Sequence, residues 1–296
     1  MGNYSAKDLS AACIDAIWTM TSIVILASFC CFVSAQNRDQ LDYYRERIEL
    51  GTSEVKRDAL QSLRRLGTEQ ASRVAAKALN DPSEIVRATA ISAVVFLPKS
   101  EASGILIPFL REKSPFLRKE AAHALAEVET PEAAPALIDV LTKDKRSEVR
   151  SAAAFALGKS GSLTAVPHLT EVLRRKPKKS RSFVRRSAAR SIGQIAEAVT
   201  GREFMATTPE NYLPEKYKTS VGARSTGIEF EQAAAVLENV LGNPKEAQDT
   251  RREAAFALGA IGNPASSSVL KRFASVEDSS LAEICREALL RLSQGR

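Results

Sequence analysis

Apolar residues in this chain recur at helical spacing, and they do so in repeated phrases. Val149, Ala152, Ala153, Ala156 and Leu157 fall on one face at about 3.6 residues per turn. Three of the five are alanine, so the pattern predicts helices that approach one another closely. The phrase returns about every 31 to 35 residues: IVRATAISAV at 85–94, FLRKEAAHAL at 116–125, EVRSAAAFALG at 148–158, FVRRSAARSIG at 183–193 and TRREAAFALGAIG at 250–262. Such a period marks a repeat architecture. Aligned on it, helices begin near Val55, Val86, Leu117, Val149, Val184, Thr250 and Ile284. Each follows another amphipathic segment, at about 38–50, 69–79, 102–110, 132–141, 163–173, 229–241 and 265–274. The count gives seven helix pairs. One pair cannot bury its apolar face alone, so the pairs must stack.

Punctuation refines the picture. Pro131 and Pro264 stand in or beside turns, where a missing N–H costs a helix little. Pro108, Pro135 and Pro167 lie deeper and predict a kinked or delayed helix. Gly158, just past an apolar turn, predicts a helix end.

The V-R-x-x-A-A-x-A-L-G phrase, the short acidic turns before it and the paired helices resemble the HEAT-repeat family, in the bacterial form also seen in phycobilisome-lyase subunits. The resemblance covers about residues 38–292, with one interruption. It implies an all-α fold, a right-handed α-α superhelix of about seven helix pairs, serving as an adaptor or scaffold. It further implies that the column Arg87, Arg118, Arg150, Arg185 and Arg251, with Lys56 and Cys285 at its ends, ties turns together with Asp81, Glu112 and Asp144, which precede three of these arginines by six residues. Cys285 in place of Arg reads as an atypical terminal repeat.

The resemblance also places the second helix of each pair on the inner, concave surface. Two positions there lie off the apolar face. One residue after the column stand Arg57, Ala88, Lys119, Ser151, Arg186, Arg252 and Arg286; five after it stand Gln61, Ser92, His123, Phe155, Arg190, Phe256 and Leu290. A stripe holding Phe155, Arg186, Arg190, Arg252 and Phe256 suits binding, since aromatics and Arg dominate hot spots. The two phenylalanines folding back on neighbouring repeats is an equally good reading.

Charge adds a second candidate surface. The net charge of +7 favours acidic partners, and it concentrates in Arg174, Arg175, Lys176, Lys178, Lys179, Arg181, Arg185 and Arg186. This stretch reads as an anion-attracting edge or as a solvated turn; with only Phe183 interleaved it lacks a stacking platform for bases. The interruption, about 199–228, carries Phe204, Tyr212 and Tyr217, which would clamp a partner or pin the loop to the stack. Aromatics make up only 6% of a chain rich in Ala and Leu, which argues against a β-sandwich.

The first segment has another character. Residues 16–37 carry no charge, the densest apolar run is 23–33, and Val33-Ser34-Ala35 offers small residues for cleavage before Gln36. Residues 1–35 therefore read as a signal peptide of an exported protein, periplasmic or secreted, or as an uncleaved anchor making membrane contact through 16–35, ahead of a body at 36–296. A buried N-terminal helix is the plain alternative. Ala27 and Phe29 do not suit a lipobox before Cys30, and Ala6 does not suit a myristoylation signal after Gly2. Cys13, Cys30 and Cys31 lie in this segment, which leaves Cys285 alone in the body and no disulfide scaffold.

Catalysis has little support. His123 and His168 stand in different repeats with no Cys or His at ligand spacing, and the chain has no Gly-rich phosphate loop and no G-x-S-x-G turn. The expectation is a non-catalytic scaffold without cofactor, binding a protein partner with an acidic surface through Phe155, Arg186, Arg190, Arg252 and Phe256 on the concave face and Arg174, Arg175, Lys178 and Lys179 on the edge. A nucleic-acid-binding protein and a phycobilisome-lyase-like assembly factor are the rivals. Export argues against nucleic acid.

Overall fold

The computed structural model describes residues 39–204 and 227–294, and every regular element in them is helical. The expected signal segment, Tyr212 and Tyr217 lie outside the described residues. Seven pairs follow one another: α1 (residues 39–50) with α2 (Ser53–Leu66), α3 (Glu69–Ala76) with α4 (Glu84–Ala93), α5 (Lys99–Leu106) with α6 (Pro115–Val128), α7 (Ala134–Lys143) with α8 (Ser147–Ser160), α9 (Val166–Arg174) with α10 (Ser182–Phe204), α11 (Ile228–Gly242) with α12 (Gln248–Ile261), and α13 (Ser267–Phe273) with α14 (Ser279–Gln294). Even-numbered helices stack on one another from α2 to α14, and each odd-numbered helix from α3 to α13 packs on its own partner. Six of the seven second helices start two residues before the apolar position that signals them, because a polar or proline turn precedes the first buried side chain. The last starts five earlier, and its added turn brings Leu281 and Ala282 into the core.

Val149, Ala152, Ala153, Ala156 and Leu157 are all buried, as their spacing requires. The deep prolines act as expected: Pro135 and Pro167 begin α7 and α9 after the short 3-10 turns Pro131–Ala133 and Leu163–Ala165, and Pro108 sits in the 3-10 turn Ile107–Arg111 that ends α5. Gly158 departs from expectation. It is buried inside α8, and the helix ends at Gly161, whose φ of 63° suits a residue without a Cβ. Gly67 and Gly262 cap α2 and α12 in the same conformation. Gly158 serves close packing instead: a Cβ there would lie 2.6 Å from Ser191 Oγ on α10.

The interruption does not break the stack. α10 continues helical through residues 199–204, and beyond it α12 packs directly on α10 while α11 packs on α9. At the C-terminal end Cys285 is buried where the column has Arg, and burial pushes its thiol up to about 11, with the charge of Arg251 acting the other way. A thiol held protonated in this way is inert.

Candidate interaction surface

The column forms a ladder along the edge where first helices turn into second helices. Arg87, Arg118 and Arg150 each donate to the carbonyl six residues back, at 2.7, 2.8 and 2.7 Å. Three column cations also reach the next repeat: Lys56 to Asp81 at 2.7 Å, Arg118 to Asp144 at 2.7 and 3.2 Å, and Arg185 to Glu246 at 3.0 and 3.1 Å. The last pair is fully buried, with side chains 3% and 1% exposed. Arg185 therefore does not belong to the exposed basic edge.

The ladder sets a pH dependence. Burial alone would raise the Asp144 carboxyl, but hydrogen bonds from Arg118 and the Arg146 amide, with the charges of Arg118 and Arg150, hold it below the usual range. Asp81 is lowered in the same way: burial opposes ionisation, and the Lys56 hydrogen bond, the Ser83 amide and the charges of Lys56 and Arg87 outweigh it. A folded pKa below the unfolded one means that the unfolded chain binds more protons. Stability from these groups is complete above the unfolded carboxylate value, about 3.9, and is lost as pH falls through the folded value. Urea midpoints should thus fall on acidification below about pH 5, and D81N/D144N should flatten that limb while lowering the neutral-pH midpoint.

The face of the second helices is the concave one, because side chains two repeats apart meet across it. Arg64 on α2 reaches Glu127 on α6 at 2.8 Å, and Arg291 on α14 reaches Glu197 on α10 at 2.7 Å. Both ends of the face are bridged in this way. Toward the C-terminal end, successive helices are also paired: Arg186 to Asp249 at 3.2 Å, Arg190 to Glu253 at 3.1 Å and Arg252 to Asp278 at 3.0 Å. The three arginines named from the sequence thus each have a carboxylate on the next repeat.

Between the bridges lies a hollow of about 930 Å³ over α6, α8 and α10. It exists because the stripe position held by Lys119 and Arg186 on the flanking repeats is Ser151 on the middle one, whose hydroxyl lies 2.9 Å from Ser187 Oγ. Each flank carries a cation over a ring: Lys119 Nζ is 5.5 Å from the centre of Phe116, and Arg186 is 5.6 Å from that of Phe183. Phe183 is 66% exposed. Phe155 and His123, ring centres 6.3 Å apart, line the hollow with Arg190. The His123 ring is accessible, yet the groove walls desolvate it and hold it below the usual imidazole value, with the charges of Glu120 and Glu127 opposing and that of Lys119 assisting.

The phenylalanines pack on the stack and also border the groove. Phe155 and Phe256 are half-buried, and Phe256 lies on Gly193 of the preceding repeat, under Arg291 at 5.6 Å. Phe256 also lines a second hollow of about 370 Å³ with Arg186, Arg190 and Arg252. Phe116 and Phe183 were not singled out as ligand contacts in the sequence. Their signal is position, two residues before the column at the start of a second helix. On the edge, Arg174, Arg175, Lys176, Lys178 and Lys179 are exposed, and Arg174 lies 3.8 Å from Glu171. Among the described residues no His, Cys, Asp and Glu group is arranged to hold a metal, and no helix is long and apolar enough to cross a membrane.

Two family models match this chain: HEAT repeats at residues 72–158 and 105–193, and the PBS lyase HEAT-like repeat at 250–275. The chain belongs to the HEAT-repeat family. No curated protein matches this HEAT-repeat chain in sequence. Among solved structures, importin beta is 12% identical with a TM-score of 0.58, the match covering 89% of this chain and 37% of importin beta. Kap121p is 17% identical with a TM-score of 0.57, covering 80% of this chain and 25% of Kap121p. An engineered protein is 20% identical with a TM-score of 0.52, covering 86% of this chain and 68% of its own. At these identities the likeness is one of fold.

Proposed function

We propose that this HEAT-repeat protein is a non-catalytic scaffold that holds an acidic protein segment on its concave face and along its basic edge. The hollow at Ser151 carries the reading. Among the described residues no ion pair two repeats apart spans it, it is flanked by Lys119 over Phe116 and Arg186 over Phe183, and it has aromatic walls for an apolar anchor beside cations that a carboxylate ligand would share with Glu120 and Asp249. The test is site-specific photo-crosslinking in the native host, with a benzophenone side chain at Ser151 or at Lys77 in the 3-10 turn that follows α3. A discrete protein adduct at Ser151, absent at Lys77 and weakened by K119E, is the expected result. Equal labelling from both positions would remove the concave face from consideration. R186E is a poorer probe, because it also sets a carboxylate against Asp249.

Export is the second part of the proposal, and it rests on the uncharged run at 16–37 followed by Val33-Ser34-Ala35. Intact mass of the protein from fractionated cells should show a chain beginning at Gln36. A full-length species in the soluble cytoplasmic fraction would end this reading and bring nucleic acid forward as the partner to test.

A further inference from the structure

The acid of the ladder stands six residues before the column: Asp81, Glu112 and Asp144. In the next two repeats the same count reaches Lys179 and Lys245. The stacking of α10 on α12 brings these two turns together despite the 66 residues between them, and Lys178, Lys179 and Lys245 line one cavity of about 280 Å³ with Pro177, Ser182, Glu246 and Ala247. Glu246 is the only acid in that wall, and its charge is spent on Arg185 inside the stack. Among the described residues no carboxylate pairs with any of the three lysines, nor with Arg175 and Lys176 beside them. Elsewhere along this edge Asp81 and Asp144 each meet a column cation of the preceding repeat; here three lysines surround a small cavity.

We infer that this cavity binds a phosphate monoester group. Three separate ammonium donors suit a tetrahedral dianion, which takes hydrogen bonds from several directions. A planar carboxylate is read better by an arginine fork, and no arginine lines this cavity. No aromatic side chain lines the cavity, and Pro177, Ser182 and Ala247 complete the wall around the lysines. Ala247 also precedes α12 with no side-chain acceptor for the first-turn amides, which adds positive potential at the same place. The site belongs to the basic edge of the proposed scaffold and rests on that reading, but it is separate from the Ser151 hollow, so its failure leaves the concave-face reading intact.

The probe is inorganic pyrophosphate, titrated calorimetrically into the full-length protein at low salt, beside K178Q/K179Q/K245Q. The control K113Q/K143Q/K145Q removes equal charge from turns three and four of the same edge. Saturable binding that weakens roughly tenfold or more in the first variant and stays within about twofold in the second is expected. Binding that both variants weaken equally would mean general edge charge and overturn the site. Co-sedimentation with phosphatidic acid vesicles but not with phosphatidylserine vesicles, lost in K178Q/K179Q/K245Q, would assign the phosphate to a lipid headgroup. No binding to pyrophosphate or to phosphatidic acid overturns the inference. Circular dichroism of both variants should be unchanged, since all six lysines lie outside the core.

Discussion

Glu246→Ala should destabilise the protein by roughly 3–5 kcal/mol, the cost of removing one partner from a buried ion pair. The magnitude follows from where the pair sits. Arg185 and Glu246 are fully buried, so loss of the carboxylate leaves a guanidinium with neither water nor a counter-charge. Arg185 cannot swing out, because its remaining nitrogen, Nη1, donates to the last carbonyls of α9, at 3.0 Å to Val172 and 3.0 Å to Leu173. These carbonyls have no intrahelical partner of their own. One side chain therefore caps a first helix and ties the fifth repeat to the turn of the sixth.

The pair also stands where chain continuity gives the least help. Adjacent repeats are elsewhere joined by a few residues, but α10 and α11 are separated by residues 205–227. In a repeat protein, stability is a sum of repeat terms and nearest-neighbour interfaces. Weakening this interface should lower the urea midpoint and split the transition, with repeats six and seven unfolding first. A single transition with a loss below about 1 kcal/mol would mean that the pair is solvated. The Arg185→Met/Glu246→Met double variant isolates the coupling, expected near the top of the roughly 0.5–3 kcal/mol range for contacting residues.

Most of the fold is legible in the sequence because it is local. Alanine and valine at helical spacing, prolines that delay first helices, and the period itself are set within one repeat. The stripe is legible too: Phe155, Arg186 and Arg190 meet in one hollow because equivalent positions of stacked repeats must adjoin. Partners that cross repeats are harder to see. Glu246 lies five residues before its column arginine, not six, and 61 residues from Arg185, so neither spacing nor proximity marks it. Asp249, Glu253 and Asp278 are likewise ordinary surface acids until stacking sets them against Arg186, Arg190 and Arg252. The hollow at Ser151 is visible only as a gap in a column of long cations, and whether a gap becomes a cavity depends on what neighbouring helices place over it.

Gly259→Ala should destabilise the protein by about 1–3 kcal/mol, while Gly104→Ala, the same change in another helix, should stabilise it by up to ~1 kcal/mol. Helix propensity favours alanine at both sites, because glycine in a helix interior sacrifices backbone entropy. Space decides the sign. Nothing lies within 4 Å of a Cβ built on Gly104 in α5, so propensity acts alone. On Gly259 in α12 the added carbon falls 2.8 Å from both Cα and Cβ of Ala288, and a backbone atom cannot rotate away. Helix α14 would have to move as a unit. Gly158, Gly193 and Gly259 each stand eight residues after the column, on three successive second helices, and each faces the next helix. Their neighbours rank the cost. Gly193 meets the Phe256 ring at 2.6 Å and the Ala257 Cα at 3.0 Å, whereas Gly158 meets Ser191 and the mobile end of Gln194. Thermal midpoints should fall most for Gly259→Ala, less for Gly193→Ala and least for Gly158→Ala, and rise for Gly104→Ala. A rise for Gly259→Ala would mean that α12 and α14 are further apart than the stack described here, and with them the curvature that lets Arg291 reach Glu197 across a whole repeat.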